Sequence, residues 1–179
     1  IHHHMENVRY ADMLMGCYIA HPTAMLRRQL FVENNLFYDE SMRFSEDYDL
    51  WTRAIRVTKL GNVQEVLLRY RRHNESASIA HMDAMHRLDV GVKLRMIGYL
   101  VGDLLPAEVE QVTAMLKGES IDAAAKLDML AKLMASIKRP DLCSPLELAS
   151  VFHQIKPLPK DDFVHLCKDV IREIPIFVI

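Results

Sequence analysis

The sequence predicts an α+β chain in which a small sheet with a packed helix is followed by a mostly α-helical C-terminal bundle. Three observations predict it. The texture of the chain changes near residue 80. Before that point, short runs rich in aromatic and β-branched residues, such as Tyr18-Ile19-Ala20 and Val66-Leu67-Leu68-Arg69-Tyr70, alternate with polar turns, as strands do. After it, apolar residues recur at three- and four-residue spacing between proline and glycine breaks, as they do in helices.

Ile1-His2-His3-His4-Met5 reads as the remnant of an expression tag and is set aside. Pro22 holds His21 extended, so residues 23–27 read as strand-like. Residues 29–34 make a short helix closed by Asn34-Asn35, because asparagine tolerates the left-handed region. Ser45 is placed as the N-cap of the next helix, with Glu46, Asp47 and Asp49 in the first turn, where carboxylates meet the exposed amides. That helix is expected to reach about residue 59 and to stop at Gly61. Residues 64–73 read as a strand, and the sheet is expected from segments near 18–27 and 63–73.

The helical part opens with a segment over about 81–104, whose Met85, Leu88, Val92, Met96 and Tyr99 share one stripe. Pro106 begins the next helix, which closes at Gly118. A third covers about 120–138, and Ser144-Pro145-Leu146-Glu147 is a capping box for a fourth that Pro157 and Pro159 end. Residues 160–173 form the last. The expected division is 6–80 and 81–179.

Of the 179 residues, 50% are hydrophobic and 26% charged, which is the composition of an ordinary globular protein. A net charge of -2 excludes a field that would recruit nucleic acid or an anionic membrane. The three cysteines, Cys17, Cys143 and Cys167, are scattered, so they indicate neither a disulfide framework nor a zinc site and point to a reducing cytoplasm. No apolar run approaches the roughly 18 residues that a membrane span needs. A cytoplasmic protein, at most peripheral at the inner membrane surface, is expected.

The residues that carry chemistry lie between 21 and 78. In order they are His21-Pro22-Thr23-Ala24-Met25-Leu26-Arg27-Arg28, Tyr38-Asp39-Glu40-Ser41, Ser45-Glu46-Asp47-Tyr48-Asp49-Leu50-Trp51-Thr52-Arg53, and Glu65-Val66-Leu67-Leu68-Arg69-Tyr70-Arg71-Arg72-His73. Their order and spacing resemble the second half of family 2 glycosyltransferases of the GT-A fold, over about a third of the chain. The resemblance implies an inverting enzyme that moves a sugar from a nucleotide-sugar to an acceptor hydroxyl, with Asp47 as general base and Glu46 orienting the acceptor or the base. The residues agree, since a carboxylate at a helix N-terminus is held ionised and an ionised carboxylate takes a proton. Acidic residues in a first helical turn also serve simply to stabilise the helix.

Trp51 either stacks on an acceptor sugar or packs in the core, and His21 either borders the acceptor pocket or is structural. Arg71 and His73 either approach the donor phosphates or are solvated edge-strand residues, as for their neighbour Arg72. Asp47-Tyr48-Asp49 spells D-x-D, the family's metal-binding pattern, but here it opens a helix, where residues two apart point to different sides. No metal site is assigned. A divalent ion, Mg or Mn, is expected only in a full-length enzyme, because the nucleotide-binding half that would hold the donor is missing ahead of His21. The fragment alone is therefore expected to be inactive, and its partners, a nucleotide-sugar donor and a glycan or lipid-linked acceptor, to belong to the full-length protein. Apolar surface left by the missing half is expected to be covered by self-association, giving a homo-oligomer, or by residues 174–179. The alternative is a non-catalytic acceptor-binding or helical protein-interaction module.

Overall fold

The computed structural model describes residues 6–69 and 82–173. These are mostly helical, with one two-stranded sheet, so the α+β class with a helical bundle holds. They fall into two compact units divided between Val92 and Lys93.

In the first unit, β1 (Asn7–Val8) pairs antiparallel with β2 (Leu60–Gly61), Asn7 opposite Gly61 and Val8 opposite Leu60. Here lies the first correction. The stretch near 18–27 holds a 3-10 turn, His21–Thr23, and otherwise irregular chain, while residues 63–69 form no ladder. Both have strand-like composition, but a strand needs a neighbour to satisfy its amides, and neither has one among the described residues. Residues 70–73 of the expected strand lie outside those described. Gly61 does not stop a helix either. A Cβ there would stand 2.3 Å from the Glu6 carbonyl oxygen, so glycine is what lets β1 approach.

Helix α1 (Tyr10–Met15) is opened by Arg9, whose backbone N–H donates to the Asp12 carboxylate at 2.9 Å while its guanidinium pairs with the same group at 2.7 Å. Met13 and Leu14 are fully buried. Helix α2 (Arg28–Glu33) buries Phe31 and ends as its sequence predicts, with Asn35 at φ 52 and Leu36 N–H returning to the Phe31 carbonyl at 2.8 Å. Helix α3 (Glu46–Ala54) is shorter than expected, because the chain turns away after Ile55 to reach β2. It buries Tyr48, Leu50, Trp51 and Ala54.

Helix α4 (Met82–Val101) runs through the division between the units and buries Val92 and Met96 of the predicted stripe, whereas Tyr99 is partly exposed. In the second unit, α5 (Pro106–Leu116), α6 (Ala123–Ala135), α7 (Pro145–Ile155) and α8 (Lys160–Glu173) pack with α6 in contact with the other three. Their ends follow local chemistry. Gly118, at φ 67, closes α5, and Ser144 and Glu147 form the capping box that opens α7. Val112, Leu130, Leu133, Leu148 and Phe152 make the core.

One charged residue lies inside that core. The Lys126 stem is buried, and its ammonium donates to the carbonyls of Phe152 (3.3 Å) and Lys156 at the end of α7. Burial, and then the nearby Lys156 charge, lower its pKa below the usual lysine value. It thereby binds α6 to the last turn of α7, where the Phe152 carbonyl also accepts from Lys156 N–H at 3.2 Å and where a cation meets the negative end of the helix. Lys126→Met keeps the stem but removes these donors, and thermal or urea unfolding is expected to show a loss of about 1–3 kcal/mol. A loss of a few tenths would mean that solvent satisfies those carbonyls equally well.

Candidate functional site

The first turn of α3 carries the acidic pair. Glu46 is exposed and Asp47 half-buried, while Asp49 is 2% exposed. The three carboxylates therefore do different things. Asp49 accepts from Arg53 Nε at 2.9 Å, and Arg53 Nη2 donates to the Phe37 carbonyl at 2.6 Å, so this pair fastens the 37–41 segment to α3. Asp47 accepts only a local bond, from Tyr48 N–H at 2.7 Å. Asp47 and Asp49 share no ligand geometry, and among the described residues no group of three or more His, Cys, Asp or Glu is arranged to hold a metal.

Ser45 stands at the N-cap position of α3, as expected, but its side chain does not cap the helix. It adopts φ -135 and ψ 20, makes no side-chain bond to the helix amides, and its Oγ donates instead to Asp89 Oδ1 of α4 at 2.8 Å. The hydroxyl gives its proton to a carboxylate, a charge-assisted bond stronger than a neutral one, and in the rotamer that makes this bond its oxygen does not reach the helix amides. Ahead of it, Phe44 sits at φ 79. For a bulky side chain that left-handed conformation costs about 1–3 kcal/mol and is held only where its surroundings fix it.

Beside the acidic turn is an aromatic group. The Trp51 ring lies 5.9 Å from that of His21 and 6.2 Å from Phe31, and His21 Nε2 is 3.2 Å from the Tyr38 hydroxyl. Trp51 is 3% exposed, yet its Nε1–H meets no acceptor among the described residues. A buried donor left unmade is costly and draws attention to what it faces. Trp51 lines a cleft of about 680 Å³ whose other walls are residues 19–20, 23–25 and 59–68. Those walls mix polar and apolar residues, and several of the apolar ones are open: Met25 is 99% exposed, and Val63, Val66 and Leu67 about 70%.

His21, Trp51, Glu46 and Asp47 thus all belong to the first unit, with His21 and Trp51 in ring contact. Arg71 and His73 lie outside the described residues. Sequence reasoning missed Asp89 and Arg53. The Asp49 to Arg53 spacing of four was a readable signal for an ion pair on one helix face, whereas nothing local marks Asp89.

Cys17 joins this group. Its thiol is pushed up to about 12, first by burial and further by the charges of Asp47 and Asp89, against a lowering backbone hydrogen bond at Ile19.

A curated protein of Haemophilus influenzae named an uncharacterized glycosyltransferase is 21% identical to the chain over 157 residues, which cover 86% of this chain and 48% of that protein. The chain spans about half the length of the relative it matches. No family model and no solved structure matches.

Because only the thiolate is nucleophilic, Cys17 is expected to react with iodoacetamide at pH 8 at least about 100-fold more slowly in the folded chain than after unfolding. Asp47→Asn should speed the folded reaction by removing one of the charges that oppose ionisation. Equal rates in the two proteins would place the Asp47 charge away from this cluster.

Proposed function

We propose that this chain is the acceptor-side, C-terminal portion of an inverting family 2 glycosyltransferase of the GT-A type, in which Asp47 is the general base. The observation that carries the reading is the position of Asp47. It is half-buried at the head of a helix whose next five residues are buried, one of them Trp51 of the aromatic group, within a four-motif sequence that resembles that family. The similarity to a glycosyltransferase of about twice the matched length supports the same reading.

In this account the acceptor hydroxyl attacks the anomeric carbon of the nucleotide-sugar. Its proton passes to the Asp47 carboxylate as the new glycosidic bond forms, and the bond to the nucleoside diphosphate breaks with inversion. Glu46, exposed beside it, orients the acceptor. Trp51 lines the cleft in which this account seats the acceptor, and His21, whose ring lies 5.9 Å from that of Trp51, serves the acceptor beside it. Arg71 and His73 serve the donor phosphates. The described residues supply no metal site, so no step is assigned to a metal in this chain; the divalent ion expected in the full-length enzyme is held by the nucleotide-binding half.

The open apolar residues of the cleft walls fit a surface that the nucleotide-binding half covers, since contiguous exposed apolar patches mark interaction surfaces. Self-association through these walls is the alternative occupancy. No helix among the described residues is long and apolar enough to cross a membrane, and cytoplasmic placement at or near the inner membrane surface is part of the proposal.

Asp47→Asn in the full-length protein removes a charge without changing size. Turnover of a nucleotide-sugar with its acceptor is expected to fall by about 10²- to 10⁴-fold, with the melting temperature nearly unchanged. Retained turnover would reject the base assignment. The chain alone is expected to transfer nothing under the same conditions, and transfer by it would reject the need for a second half.

A further inference from the structure

We propose that Asp89 is a positioning residue for the Glu46-Asp47 pair, acting through the Ser45 hydroxyl. The inference rests on the transferase reading above and deepens it by adding a residue from outside its motifs.

Ser45 is 1% exposed, so its hydroxyl must be satisfied within the protein, and the acceptor is Asp89 Oδ1 at 2.8 Å. A serine at the head of a helix ordinarily turns its oxygen onto the helix amides, which fixes the first turn from within. Ser45 makes no such bond. The first turn of α3 is instead fixed from outside, by a carboxylate 44 residues further along the chain.

The backbone around Ser45 needs that hold. Phe44 is left-handed at φ 79, a conformation that persists when the residues on both sides are fixed. On one side, Ser45 N–H donates to the Met42 carbonyl at 2.8 Å, closing the turn. On the other, the Ser45 carbonyl accepts the first helical bond, from Asp49 N–H at 3.0 Å. Glu46 and Asp47 are the next two residues, so a rotation at Ser45 moves both carboxylates directly. The charge of Asp89 is felt at the same place: with Asp47 it contributes to raising the Cys17 thiol, and after burial it is the leading cause that keeps the Tyr48 phenol protonated.

Two measurements test this. In the full-length protein, turnover is followed as nucleoside diphosphate released from uridine diphosphate sugars for Ser45→Ala, Asp89→Ala, Asp89→Asn, the double Ser45→Ala/Asp89→Ala, and Asp47→Asn as reference. Displacing a catalytic group by about 1 Å costs on the order of 10²-fold, so both alanine variants should lose about 10- to 100-fold in kcat with KM for the donor little changed. The double variant should be no worse than the poorer single one, because both break one contact; this comparison separates the Ser45 to Asp89 pair from any other contact of either side chain. Asp89→Asn keeps an oxygen that accepts the Ser45 proton and should retain most of kcat.

In the present chain, amide hydrogen exchange reads the tether without substrate. Asp89→Ala should lose protection at residues 46–49 and not elsewhere in the first unit. Should Asp89→Ala fail to fold, Ser45→Ala and Asp89→Asn carry the same comparison. If Asp47→Asn is inactive while Ser45→Ala and Asp89→Ala keep kcat within about twofold, or their losses multiply in the double variant, the positioning role is overturned and the base assignment stands. If Asp47→Asn keeps its turnover, the base assignment falls and the positioning role of Asp89 with it. Unchanged exchange at 46–49 overturns the tether itself.

Discussion

The first unit depends on the burial of α3, which is enclosed on all sides from Tyr48 to Thr52. Tyr48, Leu50, Trp51, Thr52 and Ala54 are each at most 3% exposed, and the Tyr48 hydroxyl donates to the Met13 carbonyl of α1. That bond joins two helices whose facing side chains are fully buried, and burial keeps the phenol protonated, so the donor is always present. With the helix so enclosed, its first residues are fixed where the chain reaches the surface, Glu46 exposed and Asp47 half-buried. A functional group on a rigid element is more precisely placed than one on a loop.

On this scaffold, acids of the same type divide into separate tasks. Asp12 opens α1 and Asp49 holds Arg53 and, through it, the Phe37 carbonyl. Asp89 holds Ser45. Asp47 is left with a single local contact among those of its own turn and Glu46 is exposed, which is the state in which a carboxylate can meet a substrate. Environment, and not residue type, separates the acids that hold the fold from those left open to solvent.

What could be read from the sequence was what is local. The helices of the second unit follow from proline, glycine and a capping box, each of which acts within a few residues, and their bounds came within a turn of those observed. The strands were misplaced because the apolar runs near 18–27 and 63–73 carry strand composition, while pairing depends on a partner, and the ladder that forms uses Asn7–Val8 and Leu60–Gly61. Ser45 illustrates the same limit within one residue. Its place at the head of a helix was legible; the direction of its hydroxyl was not, because Asp89 reaches it only through the fold. The candidate site was legible as a motif around Asp47, but its supports Arg53, Tyr48 and Asp89 were not assigned from that motif.

The central claim is that Asp47 takes the proton of an attacking hydroxyl. A crystal structure of the full-length protein with an unreactive nucleotide-sugar analogue and an acceptor measures this directly. The account predicts an Asp47 carboxylate oxygen within about 2.6–3.2 Å of the acceptor hydroxyl, with that hydroxyl facing the anomeric carbon opposite the diphosphate. An acceptor bound with another residue at its hydroxyl, and Asp47 out of hydrogen-bond reach even through one water, would contradict it.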